Sequence, residues 1–139
     1  MADKQCLLHG AVVLFVGLLC GAPMGSAIAR NKPEPTVRGW RVAHSSLVAG
    51  GILLLAIAGV VSRLALPPAA LVALVASFIA GSYAFCISLP LGAHLGVRGL
   101  SRDGSVLGGF VYVTNIVGVA GLLLGGILLV WGAIAAQAQ

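Results

Sequence analysis

The chain has 139 residues, of which 60% are hydrophobic and 8% charged, with a formal net charge of +5 and three histidines. Its mean hydropathy is +1.11, where a soluble domain carries roughly a quarter charged residues. This composition excludes a soluble globular protein, and the eight bases stand singly between apolar runs rather than in the clusters that nucleic-acid binding needs.

Four apolar runs are long enough to cross a bilayer, which takes about 20 residues as helix. They cover approximately residues 7–28, 43–61, 67–91 and 106–135. The expected fold is all-α: an integral membrane, antiparallel four-helix bundle, with residues 1–139 forming a single domain.

The first run, from Leu7 to Ile28, also has the outline of a secretory signal peptide: one early lysine, Lys4, a short apolar core and a small-residue end, "SAIA". His9 and Gly10 interrupt the leader, and retention as a membrane helix is the favoured reading. Gly17, Gly21 and Gly25 recur every four residues in it, a spacing that lets helix backbones approach in lipid.

The connection "ARNKPEPTVRGWR" reads as a loop that ends where the second run begins, near Ala43. His44 lies just inside that run, one helical turn beyond Trp40. The third run carries Tyr83 and Ser88 and is followed by "GAHLGVRGLSRDG". The fourth run carries Tyr112, Thr114 and Asn115, with Gly118, Gly121 and Gly125 as a second close-packing row. Arg30, Lys32, Arg38, Arg41, Arg98 and Arg102 sit in the first and third connections, against Lys4 and Arg63 on the other side. The positive-inside rule therefore puts the two longer connections in the cytoplasm and both termini outside. A bacterial inner membrane is the expected location.

Cys6, Cys20 and Cys86 form no CxxC pair, and no CxxCH, GxGxxG, phosphate loop, HExxH or GxSxG is present. Iron–sulfur chemistry, covalent haem attachment, nucleotide-driven transport and serine hydrolysis have no support. Polar residues inside the membrane are costly, which makes His44, His9, Tyr83, Ser88, Tyr112, Thr114 and Asn115 the functional candidates. No two histidines share a helix at i, i+3 or i+4, so a multi-histidine metal cage is disfavoured, whereas one imidazole suffices for a haem. Residue chemistry alone leaves open the plainer reading, in which His44 bonds a carbonyl or water and Tyr83, Tyr112 and Asn115 only join helices.

The segment "GWRVAHS", residues 39–45, preceded by "HGAVVLFVGLL" and followed by three more apolar helices, resembles the styrene oxide isomerase family of small four-helix membrane proteins. The helix pattern is similar over nearly the whole chain, and the specific part is these seven residues. Gly39, Trp40, Ala43, His44 and Ser45 match the family's pattern at the start of its second helix. The resemblance implies haem b with His44 as its axial ligand, a homotrimer with haem between subunits, and ferric iron acting as Lewis acid on a small hydrophobic epoxide from the bilayer. Trp40 and Gly50 would lie along the cofactor. Three positions depart: the family's asparagine a turn and a half beyond the histidine reads Gly50, its Asp-Gly reads Ala80-Gly81, and Ser88 falls near its pocket tyrosine. Tyr83 and Asn115 are the residues expected to replace those polar groups. The alternatives are a haem protein without catalysis, as electron carrier or small-ligand sensor, and an accessory subunit of a membrane complex. His9 or His94 on the second haem face would mark the first alternative.

Overall fold

The computed structural model describes residues 1–97, 99 and 105–138. The described residues form five helices: α1 (Ala2–Leu19), α2 (Gly21–Ala29), α3 (Glu34–Val60), α4 (Pro68–Leu95) and α5 (Val106–Gln137). A single 3-10 turn, Val61–Arg63, follows α3. No strand occurs among the described residues. α1 and α2 run on as one span of residues 2–29, and with the others they make four helices long and apolar enough to cross a membrane. These spans have 28 to 32 residues, or about 42–48 Å of helix, so their ends rise well beyond a 30 Å hydrocarbon layer. The protein is thus an all-α integral membrane bundle. Much of its apolar surface faces outward, as at Ile127 and Leu123.

The first span breaks at Cys20 because Pro23 has no N–H for the Leu19 carbonyl and its ring crowds that carbonyl. The second span starts at Glu34, nine residues before the expected Ala43. The arginines and prolines of "PEPTVRGWR" do not delay the helix: Pro35 sits in its first turn, where its missing N–H is no loss, and Glu34 suits the positive end of the helix dipole. Arg38, Trp40 and Arg41 consequently lie on the helix, and His44 is nearly three turns inside it rather than one. α4 continues through Pro90 and ends at Gly96, whose φ of +72° is the left-handed cap that lets the Val97 N–H bond the Gly92 carbonyl at 3.0 Å. The Ser105 hydroxyl caps α5 by accepting from the Gly108 N–H at 2.9 Å.

Two helix pairs make the bundle. α1 lies along α3, α5 lies along α4, and α4 joins the pairs through α3 and, less extensively, α1. Each pair closes over glycines. A Cβ on Gly17 would stand 2.6 Å from the Val48 nitrogen, and one on Gly51 2.6 Å from the Leu14 Cα. In the other pair Gly118, Gly121 and Gly125 receive Phe85, the Ser77 carbonyl and Phe78 of α4. These rows serve backbone approach in lipid, where dispersion contacts replace the hydrophobic effect as the force between helices.

A substitution at these contacts separates packing from helix propensity. Gly51→Ala should destabilise the bundle by about 1–3 kcal/mol through overpacking against α1. Gly59→Ala, with nothing within 4 Å, should be neutral or gain up to about 1 kcal/mol of helix propensity. Thermal unfolding in detergent, followed by circular dichroism, measures both.

Candidate functional site

His44 belongs to the face of α3 that meets the first span. Ala43 and Leu47 beside it are buried, and the imidazole itself is half-buried. Its Nδ1 lies 2.8 Å from the Gly17 carbonyl oxygen. A carbonyl only accepts, so this bond places the proton on Nδ1 and leaves the Nε2 lone pair as the ring's basic site. Nε2 has no hydrogen-bond partner among the described residues. The ring edge formed by Nδ1 and Cε1 covers Gly21, where a Cβ would stand 3.4 Å and 3.5 Å from these two atoms. One turn further along α2, Gly25 meets open space. Trp40, one turn before His44 on α3, is half-buried and packs against the core.

This arrangement follows from local sequence. Gly17 has no side chain to hold α3 away, so the imidazole reaches the backbone of α1. A carbonyl oxygen has two lone pairs, so a side-chain donor is accommodated beside a backbone one. The break at Cys20 lies within one turn of this bond.

Tyr83 and Asn115, expected to act together, lie in two separate networks. The Tyr83 hydroxyl is 3.0 Å from His9 Nδ1, and His9 Nε2 is 3.1 Å from Gln5 Oε1. The Gln5 carbonyl oxygen accepts from Nε2–H, so Nδ1 is the acceptor and Tyr83 donates to it. The two rings meet edge to face at 5.5 Å. His9 is eight residues, or about 12 Å along the helix, from the Gly17 that anchors His44. Tyr83 therefore belongs to the end of the bundle that carries the N-terminus, and His9 is already engaged there. His94 is exposed on the last turn of α4.

Asn115 lies at the opposite end. Its Oδ1 accepts from the buried Ser88 hydroxyl at 2.6 Å, and its Nδ2 donates to the Gly99 carbonyl at 3.2 Å. It lines a cleft of about 460 Å³ between α3 and α5, with α4 as floor. Gly39, Phe85, Ser88, Tyr112 and Val119 also line it, and His44 does not. Gly50 stands six residues beyond His44, where a Cβ would meet only Val13 at 3.9 Å. Ala80 is exposed, and Gly81 lies buried under α5 against Gly118 and Leu122. Arg98 and Arg102, on which the expected topology partly rests, lie outside the described residues. No group of three His, Cys, Asp or Glu suited to a metal ion occurs among the described residues.

Two functional features escaped the sequence reading: the Gly17 carbonyl as partner of His44, and Ser88 as partner of Asn115. The row of Gly17 and Gly21 was the available sign of the first, since it marks where another helix comes close. Nothing in the spacing of Ser88 and Asn115 pairs them.

Fold and site together define a small four-span integral membrane protein with one imidazole held by a backbone carbonyl. The model of the family described as styrene oxide isomerase matches residues 2–134, and the chain belongs to that family. No curated protein and no solved structure matches it.

The Ser88–Asn115 bond makes a direct prediction. Asn115→Leu strands the Ser88 hydroxyl in a buried position and should cost about 0.6–1.7 kcal/mol, the range for interhelical side-chain bonds in membranes. Ser88→Ala in the Asn115→Leu background should recover part of that loss. A double-mutant cycle of unfolding in mixed micelles measures the coupling.

Proposed function

We propose that this chain is a membrane isomerase that rearranges small hydrophobic epoxides to carbonyl compounds, with haem b held through His44. Membership in the styrene oxide isomerase family supports an isomerase activity. The observation that carries the haem reading is the Nδ1 bond of His44 to the Gly17 carbonyl at 2.8 Å. Metal-binding histidines commonly donate their second ring nitrogen to a carbonyl or carboxylate, which fixes the tautomer and raises ligand basicity. The donor set fits the group: one neutral imidazole with Nε2 unprotonated would suffice as the protein's ligand to haem iron. Gly21 and Gly25 add no side chains on the first span around it, which suits a flat macrocycle.

Ferric haem, when bound, supplies a Lewis acid. The residues of the chain do the rest. Gly17 holds the imidazole in orientation, so that Nε2 is presented without loss of rotamer freedom at the moment of ligation. The apolar helix faces exclude water, which would otherwise open the epoxide to a diol. The reaction itself is an isomerisation: one epoxide C–O bond breaks, a hydrogen migrates with its electron pair between neighbouring carbons, and a C=O bond forms. No atom or electron is gained, so no external donor is needed. We further propose that the working form is a homotrimer in the bacterial inner membrane, as the resemblance carried by "GWRVAHS" implies.

Gly50, Ala80 and Ser88 stand where the resemblance expects larger polar groups, and they favour a specific second reading: a haem protein that binds without turnover, as electron carrier or small-ligand sensor. One experiment separates the two. Purified protein should show a Soret band that His44→Ala loses. Gly21→Val, which presses on the His44 ring, should weaken haem affinity by about tenfold, the lower end for loss of an orienting partner. The ferric protein should convert aryl or alkyl epoxides to aldehydes, and dithionite reduction should slow it, because ferrous iron is the weaker Lewis acid. Full haem content in His44→Ala overturns the ligand assignment. Bound haem with no turnover in either state assigns the second reading.

A further inference from the structure

The α3–α5 cleft does not include His44, although Ser88 and Asn115, two of the residues that the resemblance brings into question, line it. It exists because α5 packs mainly on α4 and not along α3, which leaves a groove whose floor is α4. The apolar part runs from Val42 and Val119 toward Gly39 and Tyr112, seven residues or about 10 Å along α5. At the polar end the lining includes Arg38. The Arg38 side chain is 57% exposed, and its only described ionic partner is Glu34, at a loose 3.9 Å that Arg41 shares.

Charge at this end is strongly one-sided. Arg30, Lys32, Arg38 and Arg41 gather there, with Glu34 as the one described acid. A basic group at the end of an otherwise apolar interhelical groove matches an acyl chain below and an anionic headgroup above. The Arg38 guanidinium offers a planar fork for phosphate oxygens, and the Ser88–Asn115 pair is already satisfied, so the groove wall asks nothing polar of the chain.

We infer that the α3–α5 cleft is a binding site for an anionic phospholipid, its headgroup phosphate on Arg38 and one acyl chain along Val42, Ile116 and Val119. His44 does not line this site, and lipid retention is read without turnover, so the inference fails or stands apart from the proposed reaction. Lipid there substitutes for the missing contact between α3 and α5.

Native mass spectrometry of the full chain, released from micelles doped equally with dioleoylphosphatidylglycerol and dioleoylphosphatidylcholine, tests it. Phosphatidylglycerol should be retained over phosphatidylcholine by about fivefold, the factor one base contributes near an anionic surface. Arg38→Gln should bring the ratio close to one, whereas Arg30→Gln, equally basic but outside the cleft, should keep most of it. Val119→Trp, which fills the apolar groove and alters no charge, should lower retention of phosphatidylglycerol. Circular dichroism should be the same for all variants. Equal retention of the two lipids, a preference that survives Arg38→Gln, or no lipid of either kind, as when a second copy occupies the groove, overturns the assignment. Displacement of phosphatidylglycerol by equimolar octanoate also overturns it and gives the cleft to free carboxylates.

Discussion

The bond from His44 Nδ1 to the Gly17 carbonyl is the constraint on which the functional account depends. It requires α1 and α3 to touch backbone to backbone, which the absence of side chains at Gly17 and Gly51 allows. It also requires a proton on Nδ1, which in the neutral ring selects the Nδ1–H tautomer. In a medium of low dielectric an unpartnered ring N–H would be expensive, so the bond stabilises one tautomer strongly and leaves Nε2 as the only basic atom. Helix packing in this bundle therefore sets the chemical state of a side chain, and a glycine row ordinarily read as packing acquires a consequence for function.

The same economy governs the other polar groups in the membrane. His9 is satisfied by Gln5 and Tyr83 at one end, and Ser88, Asn115 and the Gly99 carbonyl satisfy one another at the other. Each network joins elements distant in sequence, α1 to α4 and α4 to α5. His44 is held through one ring nitrogen while the other stays unengaged, whereas both nitrogens of His9 are engaged and the exposed His94 makes no hydrogen bond among the described residues. α5, held by α4 through Phe78 and Phe85 seated on glycines, stands apart from α3 and so creates the lateral groove.

Apolar run lengths were sufficient to read the four spans and the all-α class, because a helix must satisfy its own backbone in lipid and few other structures do. "GWRVAHS" pointed to the family that the chain belongs to. α3 starts nine residues before the apolar run does, because a helix continues through the headgroup layer wherever its backbone is satisfied and arginines can reach water. Which helix meets which was not legible. Spacing along one helix gives a depth and a face, and Tyr83 and Asn115 were grouped on chemistry alone. The pairings of His9 with Tyr83 and of Ser88 with Asn115 are tertiary facts, set by how the helices align within and between the two glycine-closed pairs.

The most direct test of the account is the tautomer of His44 in haem-free protein. Nitrogen-15 NMR of histidine-labelled protein in micelles, with His9→Gln and His94→Gln to isolate the signal, reports which ring nitrogen carries the proton. The account predicts protonated Nδ1 and unprotonated Nε2 for neutral His44. A neutral ring with its proton on Nε2 would contradict it, because the Gly17 carbonyl would then have no donor and the basic nitrogen would face the backbone instead of a ligand.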